Sequence, residues 1–211
     1  MIRKEFDTKV EADVYLVEQK VRQENGYLTK SEREELKQLL EHPDVLIKKG
    51  IDTSNIKSII TNLSELQKPC LPVEKDEDIS QILTDLKDTL QRVGGLGLTA
   101  NQIGVPKKIS YIKIPKSINK QTKQIEYDEF YLINAEIIEK QKKIIVNDEG
   151  CLSFPGIRVT TDRYVFITAK FENEKRQIQT GLFQDLQGLV VQHEFDHQSG
   201  TVILDRKHKR K

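Results

Sequence analysis

Two histidines four residues apart, with a glutamate beside the first, constrain this chain more tightly than any other stretch. They sit in Gln192-His193-Glu194-Phe195-Asp196-His197, near the C-terminus. On an α-helix that spacing stacks both imidazoles one turn apart on one face, where they can reach a single metal ion. Glu194 can then point at a water on that ion, which is the His-Glu-x-x-His arrangement of zinc hydrolases. The flanks suit a helix: Leu186, Leu189, Val190 and His193 recur at i, i+3, i+4 and i+7, and Gly200 offers a stop. The competing reading is two histidines on a charged helix, satisfied by water or by Asp196.

A catalytic site of this kind needs a third protein ligand. The longer pattern His-Glu-x-x-His-x-x-Gly-x-x-His is met at Gly200 but ends on Ile203, which cannot ligate, and no glutamate follows Glu194. Asp205 and His208 remain, both in or beside a basic tail. The best candidate is upstream, at Cys151. Cys70, in Lys68-Pro69-Cys70-Leu71-Pro72, reads as a small buried hydrophobe; as a fourth ligand it would make the site structural.

The chain has 211 residues, enough for one domain with an appendage and a real core. With 34 basic and 33 acidic residues its net charge is +1, so no global field points to nucleic acid or an acidic membrane. Two cysteines are too few for a disulfide framework and fit a reducing compartment. No apolar run approaches a spanning helix, and the first 20 residues mix Lys with Glu and Asp around no hydrophobic block. The expectation is a cytoplasmic protein with no membrane partner and no sequence-specific nucleic acid.

Residues 1–62 read as a charged, helical N-terminal extension. Val14, Leu16, Val17 and Val21 make a weak stripe, and Ser31-Glu32-Arg33-Glu34 has capping-box spacing before Leu36, Leu39 and Leu40. Thr53 or Ser54 can cap a third helix bearing Ile56, Ile59, Ile60 and Leu63. Nothing there carries chemistry; the functional reading is a docking or lid element. Residues 63–211 form the second domain. Its segment 78–92 predicts a helix with Ile79, Ile82, Leu83, Leu86 and Leu90 on one face. Gly94-Gly95-Leu96-Gly97-Leu98-Thr99-Ala100-Asn101-Gln102 follows, without the spacing of a phosphate cradle. A helix cap and turn explain the glycines but not the polar Gln102. Residues 109–114, 130–134, 144–146 and 164–171 are strand-like, with 116–123 as a solvated hairpin loop. The predicted class is α+β, antiparallel β-sheets packed around a central metal-binding helix.

Three segments resemble the peptide deformylase family. Gly95-Leu96-Gly97-Leu98-Thr99-Ala100-Asn101-Gln102 is similar to its Gly-x-Gly-Leu-Ala-Ala-x-Gln motif. Glu149-Gly150-Cys151-Leu152-Ser153 matches Glu-Gly-Cys-Leu-Ser, and residues 192–197 match Gln-His-Glu-x-x-His. Order and approximate spacing agree over residues 66–205. Thr99 stands where the motif usually has alanine, the N-terminal extension has no counterpart in a minimal member, and the chain lacks the longer C-terminal helix of many members.

The resemblance implies a metal-dependent hydrolase that removes the N-formyl group from the formyl-methionine of nascent peptides. Cys151, His193 and His197 would hold one divalent metal ion, Fe²⁺ in the native enzyme, in a donor set that also accommodates Zn²⁺, Ni²⁺ or Co²⁺. Glu194 would be the general base for a metal-bound water, and the Gln102 side chain and Leu152 backbone N–H would donate to the oxyanion. The peptide would add as a strand around Gly97, with Leu98, Phe154 and Phe195 as pocket walls. Arg158 and Arg163 resemble family arginines near the site; a salt-bridge role competes. The run Arg206-Lys207-His208-Lys209-Arg210-Lys211 is either a solvated tail or an attractor of ribosomal RNA. Two other classes compete: an inactive deformylase-like metal-binding interaction module, whose structural site would be closed by four protein ligands, and a peptidase of internal bonds.

Overall fold

Apolar residues recurring at alternate positions build a sheet, because residues two apart share a face. The computed structural model describes residues 56–119, 121, 122 and 124–209; the helices expected over residues 1–55 lie outside the described residues. Five strands follow one another in sheet order: β1 Gly97–Thr99, β2 Ile109–Ile118, β3 Ile125–Gly150, β4 Arg158–Glu172 and β5 Ile178–Gln184. The β1–β2, β3–β4 and β4–β5 pairs are antiparallel. Among the described residues three α-helices accompany them: α1 Leu63–Leu66, α2 Ser80–Val93 and α3 Asp185–Gln198. The antiparallel pairing is the expected one; among the described residues the strands form a single sheet with few helices beside it. None of the described helices is long and apolar enough to cross a membrane.

The chain divides into two units. In one, the described residues are the hairpin end Pro115–Asp128, where the Ser117 hydroxyl and Asn119 amide donate to Glu126 at 2.7 and 3.1 Å. The other, Thr53–Ile114 with Glu129–Lys211, contains every residue of the candidate site.

Strand β3 joins what the sequence reads as two strands. Its interruptions are bulges: the pairing with β4 shifts register between Ile133 and Glu136 and again between Val146 and Glu149. Asn134 and Asp148, within those shifts, take φ of 50° and 59°, a left-handed backbone that their short polar side chains tolerate. Asn134 also accepts from the Val73 N–H at 2.8 Å and donates to its carbonyl at 2.9 Å, tying the entry segment to the sheet. The Asp148 bulge turns the chain directly ahead of Glu149 and Cys151.

Strand β5 has no full counterpart among the expected strands. Its outer face exposes Ile178 and Leu182, and Phe183 alone is buried, so no inward apolar alternation marks it. The helix expected from Ile56 to Leu63 is also absent over residues 56–62. Ile59 and Ile60 pack against two different apolar clusters, which a single helical stripe cannot serve. The backbone is satisfied instead by Lys57 N–H donating to the Thr89 hydroxyl and Ile60 N–H to the Gln102 carbonyl, at 2.9 and 2.8 Å.

Helix α2 forms close to its expected limits. The Asp78 carboxylate accepts from the Ser80 N–H and hydroxyl at 3.0 and 2.6 Å, and Ile79, Leu86 and Leu90 enter the core with Leu98, Ile109 and Tyr111. Helix α3 packs on the sheet through more than the expected stripe: Leu186 and Val190 lie half-buried against the cluster of Ile167 and Phe183. Gly188, Val191 and Gln192 are its buried residues there, and a Cβ at Gly188 would meet the carbonyls of Phe183 and Val165 at 3.1 and 3.2 Å. That close approach lowers the C-terminal half of α3 into the protein, where Glu194, Asp196, His197 and Gln198 are all buried.

Candidate active site

Helix α3 carries His193 and His197 one turn apart, with ring centroids separated by 5.1 Å. Cys151 follows the last residue of β3, so the bulge at Asp148 and the end of the strand aim its thiol at the helix. Ligating atoms of Cys151, His193 and His197 all lie within 4.8 Å of one another. The Cys151 Sγ is 3.3 Å from His197 Nε2. Two donors sharing a tetrahedral ion sit roughly 3.5 Å apart, given bond lengths near 2.3 Å to sulfur and 2.0 Å to nitrogen. The three residues therefore fit one small divalent ion. Among the described residues the cluster has three members, the number that leaves a position open in catalytic zinc sites.

Orientation of the first histidine comes from the sheet. Glu149 Oε1 lies 2.7 Å from His193 Nδ1, which turns Nε2 toward Cys151. The Glu149 carboxylate also accepts from Arg163 Nε at 2.9 Å and Nη2 at 2.5 Å, and from the Thr161 hydroxyl at 2.6 Å. Arg163 in turn donates to Asp196 at 2.6 Å, and Asp196 accepts from Arg206 at 2.6 and 3.1 Å. Arg163 is 3 % exposed, so these charges are paired out of water, where a lone member would be costly.

Charge states follow from that arrangement. Burial alone would raise the Glu149 carboxyl, but His193 and Arg163 overcome it and hold the group well below the usual carboxylate range. For His193 burial works against the charged ring, yet the bonds to Cys151 and Glu149 raise it well above an ordinary histidine. His197 goes the other way: burial, and then the charge of His193, push it well below. Its Nδ1 is buried with no hydrogen-bond partner among the described residues. Burial also raises the Glu194 carboxyl above its ordinary value.

Glu194 is 3 % exposed, and its Oε1 faces Gly97: a Cβ there would lie 2.5 Å from that oxygen. Its Oε2 accepts from the Thr99 hydroxyl at 2.7 Å. Gln102 is oriented as a donor. Its Oε1 accepts from the Thr99 N–H at 2.9 Å, which leaves Nε2 facing Cys151 Sγ at 3.7 Å and the Ser153 hydroxyl at 3.1 Å. Leu152 is half-buried beside Gly95, where a Cβ would meet its Cδ1 at 3.2 Å.

Other expected residues lie apart from this cluster. Leu98 is fully buried in a core with Leu86 and Tyr111, while Phe154 and Phe195 pack in two further apolar clusters. Arg158 is exposed, its guanidinium against Gly150 and 3.5 Å from the Asp148 carbonyl. Cys70 is outside the metal cluster; its Sγ donates to the His197 carbonyl at 3.6 Å, and burial pushes the thiol up to about 11. Of the basic tail, Arg206 is engaged with Asp196 and His208 lies 2.9 Å from Asp162. The roles of Glu149 and Asp196 went unread in the sequence, although both stand inside the quoted motifs. Ser110, which meets the Thr99 hydroxyl, and Gln198, which donates to Ser110, had no sequence signal at all.

The family model described as "Polypeptide deformylase" matches residues 56–211. A peptide deformylase of Aquifex aeolicus is 34% identical over 156 residues, covering 72% of this chain and 87% of that protein. One from Brachyspira hyodysenteriae is 34% identical over 149 residues, covering 70% and 78%. Among solved structures, the peptide deformylase of Ehrlichia chaffeensis superposes with a TM-score of 0.64 at 31% identity, over 73% of this chain and 89% of that one. With the same three segments gathered around one cluster of sulfur and nitrogen donors, the chain belongs to the peptide deformylase family, enzymes that hydrolyse the formyl group from nascent peptides.

Proposed function

We propose that this chain removes the formyl group from formyl-methionyl peptides with Cys151, His193 and His197 holding the metal ion and Glu194 as general base. The observation that carries the reading is the convergence of those three donors within 4.8 Å, beside a carboxylate and an amide already oriented by hydrogen bonds. A divalent ion held by Cys151, His193 and His197 would supply Lewis acidity, making the attacking water more acidic. Glu194 takes the proton of the attacking water at Oε1 as the water oxygen bonds to the formyl carbon, then delivers it to the departing amine nitrogen as the C–N bond breaks. A carboxyl raised by burial is suited to both halves of that exchange. Gln102 Nε2 and the Leu152 N–H donate to the oxyanion on the formyl carbon between those steps; one such donor is worth about 10²–10³ in rate.

The peptide pairs with the backbone around Gly97, which keeps its reacting end beside Glu194 Oε1. Arg158, exposed and close to Gly150, meets the peptide farther along, and Leu98 contributes its backbone, since its side chain is core. Fe²⁺ is the native ion on the family resemblance. The catalytic domain, expected over residues 63–211, works in the cytoplasm; the basic residues after Arg206 draw it to ribosomal RNA. The inactive-module reading is disfavoured by the three-membered donor cluster among the described residues.

The test is formate release from a formyl-Met peptide by anaerobically prepared, Fe²⁺-loaded protein. Glu194→Gln should keep its metal and lose at least about 10² in kcat. Normal turnover in the metal-replete variant would remove Glu194 from the chemistry.

A further inference from the structure

Thr99 and Ser110 are register partners on β1 and β2, and their hydroxyl oxygens lie 2.7 Å apart with no exposure at either residue. On one side the Thr99 hydroxyl meets Glu194 Oε2 at 2.7 Å and the Glu194 carbonyl at 3.2 Å. On the other, Gln198 Nε2 donates to the Ser110 oxygen at 2.9 Å and to the Leu132 carbonyl at 3.1 Å. The Leu132 carbonyl can only accept, so it fixes the Gln198 amide with its N–H groups toward Ser110. An ionised Glu194 offers acceptors only, so Thr99 spends its proton there and must receive one from Ser110. Every bond in the chain then points the same way, from Gln198 through Ser110 and Thr99 to Glu194, and each polarises the next.

We infer that Thr99 is a positioning residue for the reaction: its hydroxyl, backed by Ser110 and Gln198, pins Glu194 Oε2 so that Oε1 is the oxygen left at Gly97 to exchange the proton. The inference rests on the deformylase reading of Glu194 given above. A carboxylate on a flexible side chain has two equivalent oxygens and several rotamers, and general-base catalysis requires one oxygen within hydrogen-bond reach of the attacking water. Holding the other oxygen removes that freedom before substrate arrives. The hydroxyl does not touch the substrate.

Thr99→Val keeps shape and removes the donor, whereas Thr99→Ser keeps the donor. With a formyl-Met peptide, Thr99→Val should lower kcat about tenfold with KM within about twofold, and Thr99→Ser should return kcat to within about threefold, a share of the ~10²–10⁴ such a base supplies. A second readout needs no turnover: the ¹³C resonance of the Glu194 carboxyl in Zn²⁺-loaded, Glu-labelled protein, assigned by its loss in Glu194→Gln. It should move in Thr99→Val and move back in Thr99→Ser. A resonance unchanged by Thr99→Val, or wild-type kcat in that variant, overturns the inference. If the wild-type protein releases no formate while the resonance still moves in Thr99→Val, the deformylase reading falls and the hydrogen-bonded chain stands. If Thr99→Val fails to fold, Ser110→Ala breaks the chain one link back and must shift the same resonance; an unchanged resonance there is equally fatal.

Discussion

The glycine at position 97 is defined by what stands opposite it. Its backbone needs no left-handed conformation, so any residue could adopt it; the obstacle is Glu194, whose Oε1, Cδ and Cγ would lie 2.5, 2.8 and 2.8 Å from a Cβ. Gly97→Ala must therefore displace a 3 % exposed carboxylate that Thr99 already holds. The expected outcome is a kcat lower by about tenfold or more, with the metal content of wild type, because the metal donors sit elsewhere. Metal analysis beside formate release separates this from collapse of the site; wild-type kcat in the Ala variant would show that Glu194 is free to move. Residues of this kind divide what a sequence can reveal from what it cannot. Of the three donors the structure brings together, His193 and His197 are legible from their local spacing, and Cys151 as the donor left when no third ligand follows them in sequence. Glu149 gripping His193, or Arg163 bridging Glu149 and Asp196, depends on strands and helix meeting across more than thirty residues of sequence, and no spacing encodes that.

At the scale of elements, α3 carries His193, Glu194 and His197, and its end is set as firmly as its start. Gly200 takes φ of 70°, and a Cβ there would lie 2.6 Å from the Gln67 carbonyl and 2.7 Å from the Pro69 nitrogen. Those atoms belong to the backbone, so neither can swing aside. Gly200→Ala adds the left-handed penalty of roughly 1–2 kcal/mol to that overlap, and the variant should be less stable by about 2–3 kcal/mol in urea denaturation. An unchanged midpoint would mean that residues 67–69 can withdraw, and Cys70, whose N–H donates to the Gln198 carbonyl at 3.0 Å, with them. The stop at Gly200 was legible, as was α2, because a glycine after a periodic apolar run is a strong terminator. The full face of α3 was not, although Leu186 and Val190 do pack on the sheet. Its expected stripe of Leu186, Leu189 and Val190 is only partly buried, since a helix sunk to the depth of Gly188 buries polar residues that hydrogen-bond inward. Gln192 is one, its amide spanning the Tyr164 N–H and carbonyl at 2.9 Å each. Likewise β3 reads as two strands because register shifts after Ile133 and after Ile137 break its alternation without ending its pairing.

For the molecule as a whole, the question is where the catalytic unit begins. The sequence reading draws the line after residue 62, where charged helical patterns give way to proline-punctuated chain. Described contacts run further back. Ile59 packs with the cluster around Leu86 and Leu98, Ile60 with the one around Leu66 and Ile203, and the Ile60 N–H holds the carbonyl of Gln102 at 2.8 Å. That last bond reaches the residue whose amide faces Cys151. A chain beginning at residue 63 should therefore be less stable than one beginning at residue 56. Two half-buried isoleucines contribute about 1 kcal/mol each, and two backbone hydrogen bonds about 0.5–1.5 kcal/mol each, or roughly 3–5 kcal/mol in all. Because the Gln102 carbonyl loses its partner, the shorter chain should also lose kcat more than it gains KM, a split that loss of folded protein alone does not produce. Urea midpoints and formate release on the two chains, compared at equal metal content, measure both effects. Identical midpoints and identical kcat would put the boundary at residue 63 and make residues 56–62 a passive lead-in.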